Sequence, residues 1–195
     1  MGRIYYIMGK SATGKDTVYK ELRKRCPGLK TIVPYTTRPI REGETDGVEY
    51  HFATNDELEL FKNSGKVIEL RTYQTVMGPW NYFTMDDGQF DLEKENQYLM
   101  IGTLESYEKM CLYFGSDVLI PVYIEVPDGI RLHRAVARED SQKKPNYREV
   151  CRRYLADEKD FSEENLKRLN IETRFCNLNL EQCLEKIIQN HRLEG

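Results

Sequence analysis

A run of seven residues, with glycine at its first and sixth positions, has the composition of an anion-binding loop. Gly9–Lys15 reads Gly-Lys-Ser-Ala-Thr-Gly-Lys and follows an apolar stretch of strand type. The glycines allow the backbone to curl so that successive amide N–H groups point inward, and a following helix adds its own amino-terminal amides. Lys15 is placed to reach a phosphate. The loop is therefore predicted to bind a polyphosphate.

The two residues after this loop are the candidate ligands for a metal ion. Asp16 stands where loops of this type have a serine or threonine that ligates Mg²⁺, and Thr17 is the nearest substitute hydroxyl. An aspartate there can hold the metal directly or through water. The candidate contacts to the polyphosphate are Gly9, Ser11, Ala12, Thr13, Gly14, Lys15, Asp16 and Thr17.

A second candidate phosphate site lies on a proline-containing loop. Residues 36–44 read Thr-Thr-Arg-Pro-Ile-Arg-Glu-Gly-Glu, which places Arg38 and Arg41 three residues apart. Guanidinium groups pair with phosphate oxygens, and the hydroxyl of Tyr50 would be a third donor. An Arg-x-x-Arg loop taken alone is more often a solvated surface, so the prediction depends on the first loop.

Two predicted helices each carry arginines on one face, separated by the polar loop 140–146. Like charges on one helical face repel each other unless an anion lies between them. Two such faces across a hinge predict a lid that closes on polyphosphate. Its arginines would stabilise the charge that develops on the phosphoryl oxygens during transfer, and its closure would exclude water. Interspersed acids also allow an ordinary solvated face. The arginines are Arg131, Arg134 and Arg138 on the first helix and Arg148, Arg152 and Arg153 on the second.

Short apolar strands alternate with amphipathic helices along the chain, which predicts an α/β fold with a mostly parallel sheet flanked by helices. Strands are expected at Arg3–Met8, Lys30–Val33, Val67–Leu70, Tyr98–Ile101 and Val118–Ile124, a hairpin within Tyr73–Phe90, and a long helix over Tyr147–Asn165. Residues 34–90 break the alternation, which predicts an inserted subdomain of short antiparallel strands. One domain is thus expected, with a core of about 1–33, 91–130 and 166–195, an insertion of about 34–90 and a lid of about 131–165.

The composition limits the classes of protein to which the chain can belong. Its 195 residues carry 29 Lys and Arg against 32 Asp and Glu, a net charge of −3, which argues against a nucleic-acid-coating protein. No apolar run approaches the roughly 20 residues of a membrane helix. The five cysteines are widely spaced, which favours free thiols in a reducing cytoplasm over a disulfide framework. A cytoplasmic monomer or weak dimer is expected.

The motifs together resemble the guanylate kinase family of P-loop nucleoside monophosphate kinases. The resemblance covers the phosphate loop, the arginine loop 36–44, the run Gly47-Val48-Glu49-Tyr50-His51-Phe52 and the strand Val67-Ile68-Glu69. It returns at three arginines of the lid and at Asn177-Leu178-Asn179-Leu180. It implies a P-loop NTPase-type sheet with a small subdomain that binds the nucleoside monophosphate and a helical lid.

The resemblance also implies roles for residues, with ATP and Mg²⁺ as cofactors and nucleotides as the only partners. ATP would be held by the phosphate loop and Asn177, and the γ-phosphoryl group would pass to GMP or dGMP. Glu69 would accept hydrogen bonds from guanine N1–H and the 2-amino group. The implied catalytic residues are Lys15, Arg41, Arg134, Arg138 and Arg153, and the implied substrate contacts are Arg38, Arg41, Tyr50, Glu69, Tyr82 and Thr103.

The chain departs from the family pattern around the expected base site. Pro34 replaces a serine, Asn81–Thr84 is the nearest equivalent of a Tyr-Gly-Ser/Thr motif, and Ile101-Gly102-Thr103 replaces an Asp-x-Asp motif. Two alternatives to a guanylate kinase therefore stay open. One is a guanylate-kinase-like binding module without catalysis, and the other is a kinase for a different phosphorylated acceptor.

Overall fold

The computed structural model describes residues 1–75 and 77–193, so the last two residues of the predicted core segment 166–195 lie outside the described residues. The strands are β1 (Arg3–Met8), β2 (Lys30–Thr31), β3 (Tyr35–Thr36), β4 (His51–Phe52), β5 (Val67–Thr75), β6 (Gly78–Met85), β7 (Gln97–Ile101), β8 (Leu119–Glu125) and β9 (Arg174–Cys176). The helices are α1 (Lys15–Arg25), α2 (Asn55–Asn63), α3 (Leu104–Phe114), α4 (Asp128–Asp140), α5 (Tyr147–Asp160), α6 (Glu163–Arg168) and α7 (Leu180–His191).

A parallel five-stranded sheet in the order β2-β7-β1-β8-β9 forms the centre of the molecule. Strand β1 is buried from its second residue onwards because both of its faces are covered. Tyr6 and Met8 pack with α3 and α6 on one face, whereas Tyr5 and Ile7 pack with α1 and α7 on the other. A strand that is covered on both faces has a continuous run of apolar residues in its sequence. The prediction of a mostly parallel sheet flanked by helices is confirmed.

A second sheet is built from residues 35–85 in the order β4-β3-β6-β5. Its main unit is the antiparallel hairpin β5–β6, in which Leu70 pairs with Phe83 and Glu69 with Thr84. A small core around Phe83, Met85 and Leu58 of α2 holds this sheet together. The expectation of antiparallel strands in this region holds for the pairs β3–β6 and β5–β6, but β3 and β4 run parallel.

Three predicted elements differ in their bounds. The long helix expected over Tyr147–Asn165 is two helices, because α5 ends at Asp160 and Ser162 then caps α6 by accepting a hydrogen bond from the N–H of Asn165. Phe161, between them, turns into the core and is only 6% exposed. The strand expected at Lys30–Val33 is shorter, at Lys30–Thr31, and the strand expected at Val67–Leu70 continues to Thr75.

The carboxyl ends of β1, β7, β8 and β9 meet at one edge of the parallel sheet. This edge is where ligands bind in open α/β sheets, because loops from neighbouring strands converge there. The chain leaves β1 at Gly9, β7 at Gly102 and β9 at Asn177, so these three positions come together although they are far apart in sequence. Within the described part of the chain, none of the helices is long and apolar enough to cross a bilayer.

Gly102 sits against the fully buried Tyr6, and we expect Gly102→Ala to destabilise the fold. A Cβ atom at Gly102 would lie 2.0 Å from Oη of Tyr6. Overpacking of this kind lowers the free energy of unfolding by about 2 kcal/mol. Urea unfolding should show this loss, and adding Tyr6→Phe should recover part of it because the nearest clashing atom is removed.

Gly129→Ala is the matched control for this substitution. Gly129 lies in α4 and a Cβ atom there would meet nothing within 4 Å. Alanine is the better helix former, so this variant should be unchanged or more stable by up to about 1 kcal/mol. Equal losses of stability in the two variants would contradict the packing explanation.

Candidate active site

The loop between β1 and α1 has the backbone geometry of a phosphate cradle. Ala12 has φ 63° and Gly14 has φ 86°, so two nearly adjacent residues are left-handed and the chain curls back on itself. A left-handed alanine is unusual and is held by its surroundings. At Gly9 a Cβ atom would lie 2.4 Å from the carbonyl oxygen of Ile124, which explains why the loop begins with glycine.

Asn177 braces this loop from the far end of the chain. Its Nδ2 donates to the carbonyl oxygen of Thr13 at 2.8 Å and is so close to Gly14 that a Cβ atom there would meet it at 2.5 Å. Its own carbonyl oxygen accepts a hydrogen bond from Nη2 of Arg134 at 3.1 Å. The predicted cofactor residue Asn177 therefore shapes the loop and connects it to the first lid helix.

Lys15 and Asp16 open α1 beside the cradle. Nζ of Lys15 lies 3.4 Å from Oδ2 of Asp16, and the two side chains are 25% and 76% exposed. Thr17 lines the same cavity. An exposed carboxylate beside a phosphate site is the kind of donor that Mg²⁺ uses, since this ion is usually held by one or two carboxylates and the substrate phosphates. These residues therefore fit a magnesium ion.

A cavity of about 750 Å³ contains most of the predicted phosphate-binding residues. It brings together the phosphate loop, the arginine loop and both lid helices, although the lid helices lie more than 100 residues after the phosphate loop. Its lining includes Ser11, Ala12, Gly14, Lys15, Asp16, Thr17, Arg41, Tyr50, Arg134, Arg138, Arg153 and Asn177. Arg38, Glu69, Tyr82 and Thr103 lie elsewhere, in positions described below.

Arg38 and Arg41 have different environments although both belong to the predicted arginine loop. Arg38 is 3% exposed and its guanidinium group donates to both carboxylate oxygens of Glu44, at 2.7 and 2.6 Å. These hydrogen bonds hold the pKa of Glu44 at about 2. The guanidinium also lies over the ring of Tyr50 at 5.0 Å. Arg38 therefore shapes the loop, whereas Arg41 is exposed and lines the cavity.

Tyr50 and Tyr82 form an aromatic wall of the inserted subdomain, residues 34–90, together with Tyr73. The ring centroids of Tyr50 and Tyr82 are 5.6 Å apart, and Tyr82 is also 5.6 Å from Tyr73. Burial raises the pKa of Tyr50, and the charge of Asp16 adds to this effect. Tyr50 lines the same cavity as Lys15 and the phosphate loop, so this end of the wall faces that loop.

Glu69 lies in a buried ion pair with Arg71, a residue that the sequence analysis missed. Its carboxylate accepts hydrogen bonds from Arg71, whose Nε is at 2.9 Å, and from Oγ1 of Thr84 at 2.9 Å. Arg71 also donates from Nη1 to Oγ1 of Thr103 at 2.9 Å. The strand period of two would have found Arg71, because it places Arg71 on the same face as Glu69.

A smaller cavity of about 290 Å³ extends from the phosphate loop to Thr103, the partner of Arg71, and is also lined by four carboxylates, those of Glu105, Glu108, Asp157 and Asp160. Its lining includes Lys15 and Ser11 of the loop, Tyr73 of the aromatic wall and Thr103 at the start of α3. A ligand that spans both cavities would therefore contact the phosphate-binding residues at one end and the neighbourhood of Arg71 at the other.

The lid helices contribute acids as well as arginines. Oδ2 of Asp157 accepts a hydrogen bond from the backbone N–H of Ser11 at 2.8 Å, and Glu158 accepts one from Nζ of Lys10 at 2.7 Å. A phosphate oxygen that uses the amide of Ser11 must first displace Asp157. The sequence analysis assigned no role to Asp157 or Glu158.

Arg131 does not share the environment of the other lid arginines. It is 1% exposed, pairs with Asp128, Asp157 and Glu158, and stacks on the ring of Tyr154 at 4.0 Å. Its charge is thereby balanced inside the protein. The predicted row of three arginines on α4 contributes only two of its members, Arg134 and Arg138, to the large cavity. On α5, Arg153 lines this cavity and also pairs with Glu149.

The amino-terminal part of the chain matches known guanylate kinases in sequence. Residues 1–79 match the sequence profile of the family described as "Guanylate kinase". The guanylate kinase of Chlorobium luteolum is 41% identical over 69 residues, which is 35% of each chain. That of Thermobifida fusca is 45% identical over 67 residues, or 34% of each chain. The matched segments thus span about a third of the length of these relatives.

The fold extends the likeness over the rest of the chain. A crystal structure of guanylate kinase from Anaplasma phagocytophilum superimposes with a TM-score of 0.66 at 18% identity, covering 98% of this chain and 85% of that one. A superposition of this quality at 18% identity shows a common fold. The phosphate loop, the arginine loop and the strand carrying Glu69 all lie within residues 1–79. The first 79 residues thus match the guanylate kinase family in sequence, and the whole chain shares its fold with a guanylate kinase.

Proposed function

We propose that the chain is an ATP-dependent nucleoside monophosphate kinase that transfers the γ-phosphoryl group of ATP to GMP or dGMP. The observation that carries the proposal is the cavity of about 750 Å³, in which Lys15 and the phosphate loop face Arg41 and Tyr50. A donor phosphate chain and an acceptor phosphate can meet there. The sequence match of residues 1–79 to guanylate kinases supports the same reaction.

The reaction is a direct in-line transfer between two phosphates. An oxygen of the acceptor phosphate attacks the γ-phosphorus, a new P–O bond forms, and the bond to the β–γ bridging oxygen breaks to leave ADP. The nucleophile is already an anion, so no strong general base is needed. The protein contributes position and positive charge.

The roles of the residues follow from their places around the cavity. The curled loop amides and Lys15 hold the β- and γ-phosphates, and Arg41 and Tyr50 hold the acceptor phosphate. Arg134, Arg138 and Arg153 stabilise the charge that develops on the transferred group. Mg²⁺ held at Asp16 and Thr17 would neutralise charge on the ATP phosphates. Arg38 keeps the arginine loop in shape through Glu44.

A cytoplasmic location is part of this proposal. All five cysteines are free thiols, and two of them, Cys26 and Cys183, are buried small residues of the core. Free cysteines are typical of proteins in a reducing compartment. The substrates of the proposed reaction are also found there as soluble nucleotides.

The direct test is an assay of the purified full chain with ATP, Mg²⁺ and each nucleoside monophosphate in turn. We expect ADP release that depends on the acceptor, with GMP or dGMP among the substrates. ATP binding that needs no acceptor and gives no turnover would favour a binding module instead. Turnover with a phosphorylated sugar but with no nucleotide would point to a different acceptor class.

Lys15→Ala should lower kcat/KM at least about 100-fold, because removing a group that contacts the transferred phosphoryl leaves its developing charge unbalanced. The rate of ADP release measures this effect. Lys20→Ala is the matched control, since Lys20 is an exposed lysine on the same helix. Similar kinetic losses in the two variants would contradict the role of Lys15.

Arg41→Ala and Arg38→Ala should separate substrate binding from loop stability. Arg41→Ala is expected to raise KM for the acceptor about 10-fold without changing the melting temperature, because Arg41 is exposed in the cavity. Arg38→Ala should lower the free energy of unfolding by about 2 kcal/mol, because Glu44 loses its partner. Thermal unfolding and acceptor titrations measure the two effects. A drop in stability confined to Arg41→Ala would contradict this division.

A further inference from the structure

The carboxylate of Asp157, on the lid helix α5, occupies a donor of the phosphate loop. Its Oδ2 atom accepts a hydrogen bond from the backbone N–H of Ser11 at 2.8 Å, and the side chain is 15% exposed. Ser11 lines both the large and the smaller cavity, so a ligand in either one meets this residue. A carboxylate oxygen resembles a phosphate oxygen as an anionic acceptor. The loop amide is thus bound to an anion that the protein itself supplies.

The next residue of α5 adds a second contact between the lid and the loop. Oε1 of Glu158 lies 2.7 Å from Nζ of Lys10, which is also 3.5 Å from Oδ1 of Asp128 on α4. Two consecutive acids of the lid therefore bind two consecutive residues of the phosphate loop, across 146 and 148 positions of the chain. Two adjacent contacts hold α5 against the loop in one orientation.

Arg131 gives these acids a partner that stays in place if one of them leaves the loop. It is 1% exposed and donates from Nε to Asp128 at 2.7 Å and from Nη2 to Glu158. Asp157 is its most distant partner, with 3.5 Å between Nη1 and Oδ2. A buried cation needs a carboxylate beside it, and Arg131 keeps two when Asp157 moves away. The contact of Asp157 can therefore be exchanged without leaving a buried charge unpaired.

The charge of the cluster favours this exchange when a polyphosphate arrives. The cluster contains three carboxylates against two cations, so one negative charge is left over. The pKa of Asp160, on the same helix, is raised by burial and by the charge of Asp157. A polyphosphate at the loop would add further negative charge beside Asp157. Repulsion would then weaken the contact between the lid acid and the loop.

We propose that Asp157 is an autoinhibitory residue, whose carboxylate competes with a triphosphate for the N–H of Ser11 and latches the lid to the loop until the ligand replaces it. This inference rests on the polyphosphate binding in the proposed function. A ligand that takes the amide releases α5 from one of its two contacts with the loop, so ligand binding and lid movement are coupled. The ligand must offset a charge-assisted hydrogen bond, which lowers the affinity for a triphosphate about 10-fold.

The test measures binding of the β,γ-imido analogue of ATP to the full chain by calorimetry, with Mg²⁺ and without an acceptor. Asp157→Asn keeps the size of the side chain and removes its charge, so we expect the dissociation constant to fall about 10-fold. Asp157→Ala also removes the acceptor atom and should bind at least as tightly as Asp157→Asn. An unchanged or higher dissociation constant in both variants would overturn the inference, because the carboxylate would then not compete for the amide.

Asp160→Asn is the matched control, because it makes the same change of charge about one turn further along α5. Asp160 lines the same smaller cavity, while the amide of Ser11 stays with Asp157. We expect the dissociation constant of this variant to stay within about 3-fold of that of the unsubstituted chain. An equal gain in affinity at both positions would overturn the inference, since net charge alone would then explain it.

Hydrogen exchange tests the latch itself. In Asp157→Asn without nucleotide, the amides of α5 should exchange faster than in the unsubstituted chain. The melting temperature should change little, because Arg131 keeps its other partners. Equal exchange rates in the two proteins would overturn the latch and leave the kinase function intact. If none of the proteins bound the analogue, the polyphosphate site would fall and the inference with it, and the acceptor-dependent release of ADP would fail as well.

Discussion

The hydrogen bond from the side-chain amide of Asn177 to the carbonyl oxygen of Thr13 is the contact on which the geometry of the site depends. It holds a loop with two left-handed residues in one conformation and ties it to a strand end 164 residues away. Arg134 donates a second hydrogen bond to the backbone carbonyl oxygen of Asn177, so the same residue also contacts the first lid helix. A cradle for phosphate must be held before the ligand arrives, because its amides have to converge on one point.

The charges of the site fall into two groups with different physical roles. Arg38, Arg71 and Arg131 are nearly buried and are paired with internal carboxylates, which stabilises loops and helix contacts. Lys15 and Arg41 line the large cavity. A buried pair is expensive to break, and a cation facing a cavity can change partners at little cost. In the proposed function, ligand contact and loop shape are therefore assigned to different residues, even within the one loop that holds Arg41 and Arg38.

The sequence match to guanylate kinases covers a shorter part of the chain than the likeness of the fold does. The phosphate loop and the arginine loop lie within the matched residues 1–79. The buried pair Glu69–Arg71 also lies there, but its partner Thr103 lies beyond that segment. The likeness of the fold covers 98% of the chain.

Local pattern was enough to predict the phosphate loop, the α/β class and the hairpin, because glycine spacing, strand period and helix period act over a few residues. It was not enough for the end of α5, where Phe161 turns into the core, or for the parallel pairing of β3 with β4. The roles of Arg38, Arg71 and Arg131 depended on which carboxylate each meets, and the partner Asp157 of Arg131 lies 26 residues away. Sequence therefore determined which chemical groups were available, and tertiary packing decided which of them stay free, since burial and pairing depend on neighbours that are distant in the chain.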